Sequence, residues 1–132
     1  MQLFEVQTTR RAVFVDITER LAKAARELGV EDGALLAFVP HTTAGITINE
    51  NADPSVRADL EMTLEHLAPE TLPYTHAEGN SDAHLKASLV GSSVLLPIVG
   101  GRLTLGTWQG VYFAEFDGPR RRRVWVSALT GV

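Results

Sequence analysis

Four segments carry the side chains that could do chemistry. Pro40-His41-Thr42-Thr43-Ala44-Gly45 places an imidazole and two hydroxyls where one apolar stretch ends and another begins. Functional groups sit well on such a rigid support. Thr42 and Thr43 can equally satisfy the backbone of a turn, and the turn is what these residues support unaided. Asn49-Glu50-Asn51 closes the next amphipathic stretch just ahead of Asp53, where it can hold a polar ligand or build another turn. Tyr74 to Lys86 contains His76 and His84, with seven residues between them. A loop can fold His76 over a His84 held on a first helical turn. Neutral imidazoles ligate zinc and similar ions, and three protein ligands with one open position is the catalytic arrangement. No spacing here matches the compact zinc motifs, and a histidine near a helix start is also an ordinary surface or capping group. The last segment, Gly106-Thr107-Trp108-Gln109-Gly110, sets a tryptophan among glycines in a strand-rich stretch. Glycine weakens strands. Either the backbone approaches a ligand, with Trp108 as wall and Gln109 as amide partner, or the segment is a bulge around a buried tryptophan.

The elements that must position these groups follow from periodicity. Leu3 to Thr9 and Ala12 to Ile17 read as strands, the second alternating Val13, Val15 and Ile17. Thr18 is the expected cap of a helix carrying Leu21, Ala24, Ala25 and Leu28, with Gly29 as its stop. Asp32-Gly33 turns into the apolar strand Ala34 to Val39, and Gly45 to Asn49 is the next strand. Asp53-Pro54 starts a second helix, with Val56, Leu60, Leu64 and Leu67 as its expected buried stripe. Pro73 to Asn80 reads as a loop, and Ser81 as the cap of a short helix ending at Gly91. Strands are then expected over Ser93 to Val99, Arg102 to Thr107, Val111 to Phe116 and Arg122 to Leu129, with hairpin-type turns at Gly100-Gly101 and Asp117-Gly118. This order predicts a single α+β domain spanning 1–132, a twisted antiparallel sheet or sandwich with helices packed on one face.

Composition bounds the function classes. The 132 residues include no cysteine, which removes disulfides, thiolate zinc sites and a cysteine nucleophile. Hydrophobic residues at 45% and charged residues at 21% suit a folded globular domain. A net charge of −4 gives no case for a nucleic-acid partner. The basic block Arg120 to Arg123 reads as a solvated strand end after a turn rather than a phosphate patch. No apolar stretch is long enough to cross a bilayer, and no signal-peptide pattern opens the chain. The expected setting is therefore the cytoplasm, without a membrane partner.

Together the segments PHTTAGITINENADPSVRADLE, HLKASLVGSS and GRLTLGTWQGVYFAEFDG resemble the YjbQ family, also called the secondary thiamine-phosphate synthase family. The resemblance runs over nearly the whole chain in the same order. It implies an α+β fold with a twisted antiparallel sheet, assembled as a homotrimer. His41, His76 and His84 look like the family histidines that cluster into a metal-type site, with zinc the expected ion and magnesium an option for a diphosphate substrate. Asn49, Glu50, Asp59, Lys86, Thr107, Trp108, Gln109 and Glu115 match other recurring family positions. Either Glu78 or Asp82 would be the loop carboxylate at the site. His66 has no counterpart and is expected to face solvent on its helix.

The family name implies joining a pyrimidine methyl diphosphate to a thiazole phosphate with loss of diphosphate. That chemistry needs cations or amides around the leaving group and an aromatic wall for a developing carbocation. Lys86 or a metal would hold the diphosphate, Trp108 would be the wall, and Glu50 and Glu115 would be the acid–base groups. Thr42, Thr43, Asn49, Asn51, Thr107 and Gln109 would bind substrate. The chain lacks an Asp-rich magnesium motif, so this activity is expected to be secondary. Two other classes stand beside it: a metal-dependent hydrolase with Glu50 or Glu115 as base, and a non-catalytic small-ligand or metal-binding module. A small anionic metabolite is the expected partner, with Lys86 at a helix start as a candidate cation.

Overall fold

Strand alternation sorts the side chains into layers, and a computed structural model describes the result for residues 1–130. The elements are β1 (Gln2–Gln7), β2 (Val13–Asp16), α1 (Thr18–Leu28), β3 (Gly33–Phe38), β4 (Ala44–Glu50), α2 (Pro54–Leu67), α3 (Ser81–Val90), β5 (Ser93–Val99), β6 (Arg102–Leu103), β7 (Gln109–Glu115) and β8 (Arg121–Thr130). They build the expected α+β fold as two antiparallel sheets, one ordered β1-β8-β3-β5-β6 and the other β2-β7-β4. Val6, Leu35, Leu96, Val124 and Val126 from the larger sheet meet Ile46, Val111 and Phe113 from the smaller one in the main core. β7 is buried on both faces. Tyr112, Ala114 and Phe116 point the other way, where Ala83 and Ala87 of α3 cover them and Leu60 and Leu64 of α2 pack alongside. The layers are therefore sheet, sheet and helices. α1 closes one end of the sandwich through Leu21, Ala24 and Ala25.

Local chemistry explains most boundaries, and several differ from expectation. Gly29 ends α1 in the left-handed region at φ 69°, its N–H donating to Ala25 and Arg26 carbonyls. At the start, Thr18 is the first helical residue rather than the cap. Its N–H and hydroxyl both donate to Asp16 Oδ1, at 2.9 and 2.6 Å, while its oxygen accepts from the Val111 amide at 2.9 Å. Asp53 caps α2 as expected, accepting from Ser55 N–H at 2.9 Å. The expected buried stripe of α2 is only half-buried, and Leu67 is exposed. Periodicity marks which face of a helix turns inward; how deeply it sinks depends on what lies beneath, here one small sheet shared with α3. Ser81 begins α3, with Asn80 in the capping position. Gly100 and Gly101 take positive φ in the turn between β5 and β6, but the strand expected to reach Thr107 stops at Leu103. The Gln109 side chain accepts from Gly106 N–H at 2.8 Å and holds that segment as a turn. Asp117-Gly118 is not a hairpin, because β7 and β8 belong to different sheets. It carries the chain across the sandwich.

The outer face of the larger sheet has no covering layer among the described residues. Leu3, Phe38, Leu95, Val99, Trp125 and Leu129 are all exposed on it, and Phe38 stacks on Trp125.

Candidate functional site

The turn between β3 and β4 is drawn against α3 by a close backbone approach. Ile46 N–H donates to Gly91 O at 3.0 Å, and a Cβ on Gly45 would lie 2.5 Å from the same carbonyl. Only glycine permits that contact. The approach opens a cleft of about 480 Å³ lined by His41, Thr42, Ala44, His84, Ser88 and Ser92. His84 stands on the first turn of α3, as expected, and the His76 ring meets it edge-to-face at 5.3 Å between centroids. Glu78 is the loop carboxylate beside His76, at 3.7 Å. Ser88 donates its hydroxyl to the His84 carbonyl at 3.0 Å.

His41 is held by the main chain. Its Nε2 accepts from Arg123 N–H at 2.9 Å, which puts the proton of a neutral ring on Nδ1. Partial burial lowers its pKa from the ordinary 6.5, and the nearby Arg122 guanidinium lowers it further against the opposing pull of Glu115. A neutral imidazole with an N–H to donate is the result. Metal ligation through Nε2 requires the bond to Arg123 to be given up. Among the described residues, no three His, Asp or Glu side chains group closely enough to hold an ion. As arranged, these residues do not form a three-histidine metal centre.

Glu115, expected as a catalytic acid–base group, is fully buried beneath the turn. Oε1 accepts from Thr8 Oγ1 at 2.7 Å and Arg122 Nε at 2.8 Å. Oε2 accepts from Arg122 Nη2 and from the Phe116 and Asp117 amides. Burial pushes its pKa up, but the bonds from Arg122, Thr8 and Asp117 N–H outweigh this and leave it below the ordinary carboxylate value. Arg122 Nη2 also donates to Thr43 Oγ1 at 2.8 Å. Thr43 is therefore turned inward and buried, while Thr42 is exposed to the cleft.

Lys86 lies outside the cleft. It is 3% exposed, and its ammonium pairs with Asp82 at 3.1 Å and with Glu65. It borders a separate small pocket with Phe14, Leu64 and Phe116. Asp82 is likewise buried and also receives Arg11 Nη2 at 2.9 Å, so it faces away from the histidines.

The remaining expected residues gather at the far end of β4 and β7. Glu50 pairs with Gln109 across the ladder, and Asn51 N–H donates to Trp108 O at 3.0 Å. Tyr112 OH donates to Glu50 O at 3.1 Å, and Glu50 Oε2 accepts from Asp53 N–H at 3.2 Å. Trp108 is 63% exposed; Asn49, Asn51 and Thr107 are exposed beside it, as Asp59 is on α2 and His66 on its solvent side. From Ala44 to Glu50 the strand spans about 20 Å. Within one chain, the histidine end and the tryptophan end do not meet. Sequence reasoning missed Arg122, Thr8, Ser88 and Ser92. For Arg122 the signal was present: it shares its strand face with Val124 and Val126, so alternation alone turns it inward.

The sequence model of the YjbQ-like UPF0047 proteins matches residues 2–131. UPF0047 protein MJ1081 of Methanocaldococcus jannaschii is 54% identical over 126 residues, covering 96% of this chain and 91% of that protein. UPF0047 protein YugU of Bacillus subtilis is 45% identical, with 98% of each chain covered. The crystal structure of a YjbQ/UPF0047-family protein from Clostridium acetobutylicum superposes with a TM-score of 0.95 at 52% identity, covering 98% of this chain and 100% of that one. Protein TT1486 from Thermus thermophilus gives a TM-score of 0.90 at 48% identity, with the same coverage. The chain belongs to the YjbQ-like UPF0047 family.

Proposed function

We propose that the cleft between the His41 turn and α3 takes a small anionic metabolite, and that the protein acts on it as a transferase of the thiamine-phosphate synthase type, this activity being secondary. One observation carries the reading: His41 and His84 line a single polar cleft together with the hydroxyl side chains of Thr42, Ser88 and Ser92. The His41 Nδ1–H and the Thr42 and Ser92 hydroxyls are neutral donors suited to the oxygens of a phosphate group. Lys86 and Glu115 support this chemistry from behind as structural ions rather than at the reacting atoms. Glu50 and Trp108 stand at the other end of the ladder.

The reading includes a homotrimer in the cytoplasm. The uncovered outer face of the larger sheet, with Leu3, Phe38, Leu95 and Trp125 exposed, is the surface we assign to the subunit contact, since contiguous exposed apolar patches mark interaction sites. Light scattering at micromolar protein should give a trimer mass, and a monomer would remove this part of the proposal.

Calorimetric titration with inorganic phosphate, diphosphate and thiazole phosphate tests the cleft. Binding by the wild type that weakens by roughly fivefold to tenfold in Thr42→Ala, the scale of one lost hydrogen bond, supports it. No binding of any of the three sinks it. Zinc is the second reading, favoured by the His76–His84 ring pair with His41 on the same cleft. It requires His41 to turn away from Arg123, and elemental analysis of protein purified without metal resin decides it.

A further inference from the structure

We infer that Arg122 is the positioning residue for the histidine side of the cleft, and that Glu115 serves it by holding the guanidinium. The inference rests on that cleft being the ligand site. It starts from β8, where alternation turns the Arg122 side chain into the sandwich and leaves Arg123 outside. These two successive residues grip opposite ends of one turn. Arg122 Nη2 donates to Thr43 Oγ1 at 2.8 Å and approaches the Thr43 carbonyl at 3.4 Å. The Arg123 amide donates to His41 Nε2 at 2.9 Å. Thr42, between them, is the exposed member that lines the cleft.

The guanidinium cannot itself bind the ligand, because Arg122 is 5% exposed and both Nε and Nη2 are engaged by Glu115. A planar fork against a carboxylate fixes direction as well as charge, which a lysine ammonium cannot reproduce. Glu115 is fixed in turn by Thr8 and by the Phe116 and Asp117 amides. Gly118 closes over this group: a Cβ there would come within 2.9 Å of both Glu115 Cγ and Thr8 Oγ1. Thr8, Thr43, the end of β7 and the start of β8 are thereby tied at one buried point under His41. A polar group this fully satisfied is rigid, and rigidity in the supporting shell is what holds a site to working geometry.

The test compares Thr43→Val, Thr43→Ser and Arg122→Lys with the wild type. Three readouts are taken: thermal melting, the imidazole nitrogen resonances of His41, and diphosphate titration. Thr43→Val removes the acceptor while leaving the Glu115–Arg122 pair in place. It should remain folded, lose the single-tautomer pattern of His41, and bind diphosphate about fivefold to tenfold more weakly, as for one lost hydrogen bond. Thr43→Ser should restore both properties, and Arg122→Lys should behave like Thr43→Val. If Arg122→Lys fails to fold, the two Thr43 variants decide. A folded Thr43→Val with the wild-type His41 spectrum overturns the inference. If the wild type binds no diphosphate, the ligand reading falls and the His41 spectrum alone decides whether Arg122 positions the turn.

Discussion

The two ends of the β4–β7 ladder are built from the same strands and differ in what covers them. At one end Ala44 faces Glu115, and at the other Glu50 faces Gln109. Over the first end lie α3, the β8 start and the β1–β2 connection, so a carboxylate and a guanidinium are buried with their bonds made by Thr8, Thr43 and two backbone amides. At the second end the Asn51 side chain lies close over Gly110, but no buried ion pair forms among the described residues, and Trp108, Asn49 and Asn51 remain exposed. A buried charge survives only where its lone pairs and protons find partners. The histidine end is therefore a rigid support beneath a cleft, and the tryptophan end is a surface.

The comparison is tested most severely by removing one charge at each end. Arg122→Ala leaves the Glu115 carboxylate buried without its cation and should cost about 3–5 kcal/mol. Glu50→Ala removes a single bond to the Asp53 amide and should cost about 1 kcal/mol or less. Urea unfolding measures both, and equal losses would break the comparison.

Acid sharpens it next. Because the Glu115 pKa is lowered from the ordinary 4.5 on folding, its stabilisation is complete above that value. It is lost as pH falls through the lower folded value, where the native state must take up the proton. Unfolding free energy followed downward from neutral pH should therefore fall less steeply in Glu115→Gln than in the wild type. An unchanged acid slope would mean that Glu115 is not the group being protonated.

The smallest effect is expected at Trp108. Truncating a side chain that is 63% exposed should change stability by no more than about 0.5 kcal/mol. Melting of Trp108→Ala checks this, and a large loss would show the indole to be part of the fold rather than of a surface.

Much of the architecture was legible because it depends on local periodicity and turn chemistry. Gly29, Asp53-Pro54 and Gly100-Gly101 mark real boundaries, since left-handed φ and capping are properties of a few adjacent residues. His84 on a first helical turn was legible for the same reason. The role of Lys86 was not. Residues 84 and 86 leave a helix in different directions, and only packing shows that the second turns toward Asp82 and Glu65.

By itself, then, the sequence determined the family, the α+β class and the helix stops, all of which follow from side-chain type at fixed spacing along the chain. The tertiary structure alone decided that β7 and β8 lie in different sheets, that Glu115 is consumed by Arg122, and that the His41 turn and Trp108 stand beyond opposite ends of one ladder. Those outcomes depend on which strands pair and what is layered over them. Such contacts join residues as distant as Thr8 and Glu115, and no local pattern along the chain encodes them.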